Sequence, residues 1–150
     1  MQRAIELSLE NVRAGLGGPF AALVVSEGSI VASGTNQVTR VQDPTAHAEV
    51  VAIRAACQTL GNFQLSDCEL YTTSEPCPMC VGAIYWARPA RIFYAATAAD
   101  AAGAGFDDAF IYDELKIAPA GRRIPMAQLL RDDSLAIFAV WKQQANKKPY

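Results

Sequence analysis

Between Asp43-Pro44 and Gly61 the chain carries a helical run, reaching Leu60, that is apolar nearly all round. Val50, Val51, Ile53, Ala55, Ala56 and Cys57 leave only Glu49 and Arg54 charged. A helix without a polar face has to be covered on several sides, so the fold must place layers around it, in the interior or at a subunit interface. Asp43 or Thr45 as N-cap, Pro44 in the first turn and Gly61 past the end mark its limits.

The flanking segments can supply those layers. Ile5, Leu9, Val12 and Leu16 recur at helical spacing with Glu6, Glu10 and Arg13 between them. This predicts an amphipathic helix that lays the apolar stripe on the core and ends at Gly15 to Pro19. Phe20 to Val25 and Ser29 to Gly34 flank Glu27-Gly28, the pattern of a β-hairpin. Cys68 to Thr73, Cys77 to Ala87 and Ala90 to Ala95 read as strand, uncharged helix and strand, a parallel β-α-β unit with helices over its faces. Asp100 to Asp108 reads as a small-residue loop, Ala109 to Lys116 as a short helix and Ser134 to Asn146 as a closing helix. No linker divides the chain, and 150 residues suit a single α/β domain over 1–150, able to bury roughly 68–70% of its unfolded surface.

Thirteen Lys+Arg against 15 Asp+Glu leave a net charge of −2, which provides no global attraction for nucleic acid. The longest uncharged stretch, 13 residues from Ala14 to Ser26, contains three Gly and a Pro and falls short of the roughly 20 apolar residues of a membrane span. Arg3, Glu6, Glu10 and Arg13 interrupt any signal-peptide core, so a cytoplasmic location is expected. The four cysteines are then expected as reduced thiols, open to metal chemistry rather than to disulfides.

The one histidine, His47, stands at the head of the buried run in His47-Ala48-Glu49. Thirty residues later, Pro76-Cys77-Pro78-Met79-Cys80 sets two thiols at i and i+3 on one face of a helix's first turn. A helix N-terminus favours the thiolates that bind metal. One nitrogen and two thiolates suit zinc; three protein ligands leave its fourth position for water, whereas structural sites are closed by four. No second histidine exists to close this site. Cys57 lies ten residues beyond His47, about 15 Å along a helix, so it and Cys68 read as small core residues. Zinc in such a site brings the pKa of its water toward about 7. Glu49 would be costly to bury without a task; beside that water it can act as general acid and base. H-x-E followed by P-C-x-x-C, with the glutamate not a ligand, is the signature of zinc deaminases. C-x-x-C alone is shared with redox sites and zinc ribbons.

At these residues the chain resembles the cytidine deaminase-like superfamily, in the branch of guanine deaminases and tRNA adenosine deaminases. Asp43-Pro44-Thr45-Ala46-His47-Ala48-Glu49 and Glu75-Pro76-Cys77-Pro78-Met79-Cys80 are shared widely there and bear on reaction type, not substrate. The remainder is similar to bacterial guanine deaminases over essentially the whole chain. Four segments carry this: Gly17-Gly18-Pro19-Phe20, Ile84-Tyr85-Trp86-Ala87-Arg88-Pro89, Ala104-Gly105-Phe106-Asp107-Asp108 and Ala145-Asn146-Lys147-Lys148-Pro149-Tyr150. The resemblance implies a three-layer α/β/α sandwich with a mixed five-stranded sheet, and a homodimer whose swapped C-terminal segment completes the partner's site. It implies one zinc per chain held by His47, Cys77 and Cys80, proton transfer by Glu49, and Asp108 as a second proton-handling carboxylate. For the substrate it implies stacking by Phe20, hydrogen bonding by Asn36, contact with Ala48, and Trp86 and Tyr150 lining or closing the pocket from either subunit. Ala21 stands where those enzymes carry Gly, and its methyl is expected to tighten the pocket beside Phe20. The implied reaction is hydrolytic deamination of guanine to xanthine and ammonia. Alternatives are guanosine or another amino-purine or amino-triazine, adenosine in tRNA, or a non-catalytic structural zinc module. The expected partners are a small purine and a second copy of the chain, with no nucleic acid and no membrane.

Overall fold

The apolar run is the centre of the structure as α3, Ala48–Leu60. It starts later than its punctuation suggests. Asp43 Oδ1 accepts hydrogen bonds from the Thr45 N–H (2.8 Å) and hydroxyl (2.7 Å), a turn that competes with helix for the same backbone. The helix therefore begins only at Ala48, with His47 in extended backbone at the N-cap. Gly61 ends it in the left-handed region, as expected. This computed structural model describes residues 1–149, and the chain divides into two compact units, 1–108 and 109–150.

In the first unit α3 packs on β1 (Ala21–Ser26) and β2 (Ser29–Thr35). The approach is close: a Cβ on Gly34 would overlap Ala48 O and come within 2.6 Å of Ala52 N, so only glycine fits. Glu27 and Gly28 both have positive φ, the type I′ turn of a two-residue hairpin. With β3 (Cys68–Ser74) and β4 (Arg91–Ala96) the sheet order is β2-β1-β3-β4. β1 runs antiparallel to β2 and β3, and β3 runs parallel to β4 across α4 (Pro78–Ala87), a mixed sheet in an α/β fold. There are four strands among the described residues, not five. The residues carry only four strand patterns, and 117–130 holds a single 3-10 turn, Pro119–Gly121, and Pro125 instead of a β run, each proline lacking a ladder donor.

Four consecutive residues of β1, Ala21 to Val24, are buried, so both sheet faces are covered. Ala22 and Val24 join the cluster under α3 with Leu70 and Ile84; alternation turns Leu23 to the opposite face, where α1 (Gln2–Arg13) packs. The face that α1 buries is not the expected one. Ala4, Ser8 and Asn11 point inward, while Ile5, Leu9, Val12 and Leu16 remain 41–47% exposed. Asn11 Nδ2 donates to Gly18 O (3.1 Å) and Asn36 O (3.3 Å), and these bonds, with the small Ala4 and Ser8, turn that side of the helix to the sheet. β4 is also barer than a buried strand, with Ile92, Phe93 and Tyr94 exposed.

Asp100 to Asp108 is not wholly loop. It begins inside α5 (Ala98–Gly103), opened by a Thr97/Asp100 capping box. Gly105 N–H to Ala102 O and Phe106 N–H to Ala101 O close the helix as a Schellman motif, with Gly105 at positive φ. In the second unit α6 (Ala109–Lys116) matches its expected range, and α7 runs Arg131–Gln143. Neither helix buries a residue.

Candidate active site

Two helix starts face each other across the end of the sheet. His47 is the N-cap of α3, and Cys77 is the N-cap of α4 with Cys80 one turn in. His47 Nδ1 lies 3.6 Å from Cys77 Sγ and 3.6 Å from Cys80 Sγ, and the three donor atoms all lie within 4.8 Å of one another. Zn–S bonds of about 2.3 Å and Zn–N of about 2.1 Å at tetrahedral angles place N and S about 3.6 Å apart. The residues therefore fit zinc. Hydrogen bonding from Cys80, and then from His47, pulls the Cys77 thiol down to about 4. Its bond to Cys77, and burial, push the Cys80 thiol up.

Glu49 sits beside these ligands, 6% exposed. Thr72 Oγ1 donates to its Oε1 at 3.3 Å and Cys80 Sγ to its Oε2 at 3.5 Å; burial raises its pKa. Arg54 reaches Asp43 at 3.8 Å instead, and among the described residues no Lys or Arg forms a salt bridge with Glu49.

Above this group lies a cavity of about 610 Å³, within the range of small-molecule sites. Its wall includes Phe20, Asn36, Ala48, Ser74, Phe106 and Asp108. The structure thus brings together all three ligands, Glu49, and four of the other expected residues. Phe20 and Phe106 meet edge to face, ring centroids 4.9 Å apart. Burial, then the Cys77 charge, raises the pKa of Asp108. Trp86 is elsewhere: it is 63% exposed on α4 and is not part of the cavity wall. Ala21, the neighbour of the wall residue Phe20, is fully buried and is not itself part of the wall. Tyr150 lies outside the described residues.

Residues 1–96 match the family model of the cytidine and deoxycytidylate deaminase zinc-binding region. The chain belongs to this family. Guanine deaminase of Bacillus subtilis is 56% identical over 150 residues, covering 100% of this chain and 96% of that one; its X-ray structure superposes with a TM-score of 0.97 over 99% of this chain and 95% of that one. Guanine deaminase from Nitrosomonas europaea is 37% identical, TM-score 0.67, over 71% of this chain and 62% of that one. The tRNA-specific adenosine deaminase of Aquifex aeolicus is 44% identical over 78 residues, 52% of each chain.

This deaminase uses several residues that pattern reading passes over. Asn11 ties α1 to the Gly18 and Asn36 backbone; a polar residue on an amphipathic helix gives no sign of facing inward. Thr72 carries Glu49 from β3, a contact 23 residues apart in sequence. Phe106 has no signal of its own in the sequence beyond the family segment that contains it, and the Schellman turn of α5 brings it to the site.

Proposed function

We propose that this zinc deaminase hydrolyses guanine to xanthine and ammonia. The observation that carries the reading is the His47, Cys77 and Cys80 donor triangle with buried Glu49 beside it, at the floor of a cavity walled by an aromatic pair. The full-length similarity to a guanine deaminase supports the substrate, and the tRNA deaminase relatives match only about half of the chain. The catalytic cluster, His47 to Cys80, lies wholly in the first unit, and the reading treats 1–150 as one deaminase polypeptide.

Zinc, one per chain, would be held by His47, Cys77 and Cys80, and when bound it supplies the Lewis acidity that makes water nucleophilic near neutral pH. The remaining steps belong to side chains. Glu49 takes a proton from the attacking water as its oxygen bonds to C2 of the ring, and returns that proton to a ring nitrogen. Its raised pKa favours the protonated carboxyl that such a return requires. The hydroxyl now on C2 gives its proton to Glu49 or to Asp108, whose pKa is also raised; that carboxyl passes it to the amine, the C2–N bond breaks, ammonia leaves and the C2 carbonyl of xanthine forms. Phe20 and Phe106 confine the ring, and Ala48 and Asn36 border it. Assembly is read as a homodimer in the cytoplasm, with Trp86 and Tyr150 closing a pocket from one subunit or the other. Supporting this are the exposed Trp86, Phe93 and Tyr94 and four unpaired thiols.

Zinc content and ammonia release from guanine, guanosine, adenosine and cytosine test the reading. Guanine is expected to have the highest kcat/KM. Glu49→Gln should retain zinc and lose at least ~10²-fold in kcat, the scale of general acid–base catalysis, whereas Cys80→Ser should lose zinc and activity together. A zinc-loaded Glu49→Gln enzyme with wild-type turnover would overturn the assignment of Glu49; guanosine turned over in place of guanine would overturn the substrate.

A further inference from the structure

Three consecutive hydroxyls, Thr72, Thr73 and Ser74, end β3. Thr72 donates to Glu49, and Thr73 Oγ1 accepts from the Ala21 N–H at 3.1 Å. Ser74 is different. It is 6% exposed, it borders the cavity, and its Oγ is the one buried side-chain polar atom without a hydrogen-bond partner among the described residues; in the rotamer present that oxygen is itself covered, and a turn about χ1 is what brings it to the cavity. A buried hydroxyl with no partner is disfavoured relative to one in water, so a chain that keeps one at the wall of its site has a partner for it that arrives with the ligand.

We propose that the Ser74 hydroxyl is a direct hydrogen-bonding contact to the bound purine, and so a specificity-determining residue; this rests on the guanine reading above. Alternation along β3 puts Ser74 on the same face as Thr72, the face that holds Glu49. Asn36 follows β2, on the other side of β1. The two polar groups thus approach from different strands, and two separated contacts fix the rotation of a flat ring between aromatic walls where one would leave it free. Chemistry fits as well. A serine hydroxyl offers one donor and two acceptor sites and reorients about χ1 alone, which suits a purine edge where ring nitrogens and exocyclic groups alternate between acceptor and donor.

The test is Ser74→Ala and Ser74→Thr in the zinc-loaded, full-length enzyme, read by guanine kinetics, by the Kd of 8-azaguanine in calorimetry, and by melting temperature and zinc content. Ser74→Ala should weaken 8-azaguanine binding and lower guanine kcat/KM by about ten-fold, the loss falling mainly in KM. Its zinc content should be unchanged and its melting temperature equal or higher, since an unpartnered hydroxyl has been removed. Ser74→Thr keeps the hydroxyl and should recover most of the binding. Unchanged 8-azaguanine affinity and kcat/KM in Ser74→Ala would overturn the proposal. So would a lowered melting temperature with activity falling only in step with folded protein, which would make Ser74 structural. Wild-type turnover of guanine is measured alongside: its absence would refute the functional reading itself, whereas an active wild type with an indifferent Ser74→Ala refutes only the contact.

Discussion

Asn36 is held from three directions. Its carbonyl O accepts from Asn11 Nδ2, and its side-chain Oδ1 accepts from the N–H groups of Gly18 (3.4 Å) and Val38 (3.3 Å). The loop therefore takes the oxygen of the amide and leaves Nδ2 as the donor for the purine contact proposed above. Asn36→Asp keeps the shape but replaces that donor with a carboxylate in a site already holding Glu49 and Asp108. It should lower guanine kcat/KM by ~10²-fold or more, about 2.7 kcal/mol of transition-state stabilisation, with zinc retained. Steady-state kinetics with metal analysis checks this, and an unchanged kcat/KM would mean that Asn36 shapes the loop without touching the purine.

Among the elements, α3 carries the most of the proposed chemistry, because its first turn holds Glu49, with the proposed ligand His47 at its N-cap, while its length supplies the core residues Ala48, Ala52 and Ala56. Small alanines let it lie close to the sheet, and Gly34 lets it lie closer still. The position of His47 thus depends on a backbone contact two strands away from the cysteines. Gly34→Ala must push α3 outward, an overpacking change of roughly 1–3 kcal/mol. A lowered melting temperature together with weaker zinc binding is expected, measured by thermal denaturation and metal titration. If stability falls while zinc affinity does not, the helix start and the sheet contact are mechanically independent.

At the scale of the whole molecule, a deaminase must keep bulk water from its reacting base, and closing segments commonly do so. Removing residues 147–150 should lower guanine kcat/KM by roughly ten-fold, about 1.4 kcal/mol, with zinc content and melting temperature nearly unchanged. Sedimentation of the intact and shortened chains distinguishes two roles. If the intact chain sediments as the proposed dimer, a dimer kept with activity lost makes the tail a cover for the site, and a dimer lost makes it part of the assembly. Full activity in the shortened enzyme would show that it does neither.

What the sequence determined by itself is the chemistry. That His47, Glu49, Cys77 and Cys80 come together was legible because few residue types suit metal binding and proton transfer, and because each pair stands at the start of one helix, where spacing translates directly into position. The four strands and the β-α-β unit were legible for the same local reason. The inward face of α1 was not: its Ile5, Leu9, Val12 and Leu16 stripe has the right period, but the bonds of Asn11 to Gly18 and Asn36, made across the fold, decide which side is buried. Nor could spacing reveal that Thr72 holds Glu49, that Phe106 meets Phe20, or that Ser74 alone of three neighbouring hydroxyls lacks a partner. Those facts arise between segments far apart in the chain, and only packing sets the distances that make a hydrogen bond or a ring contact real.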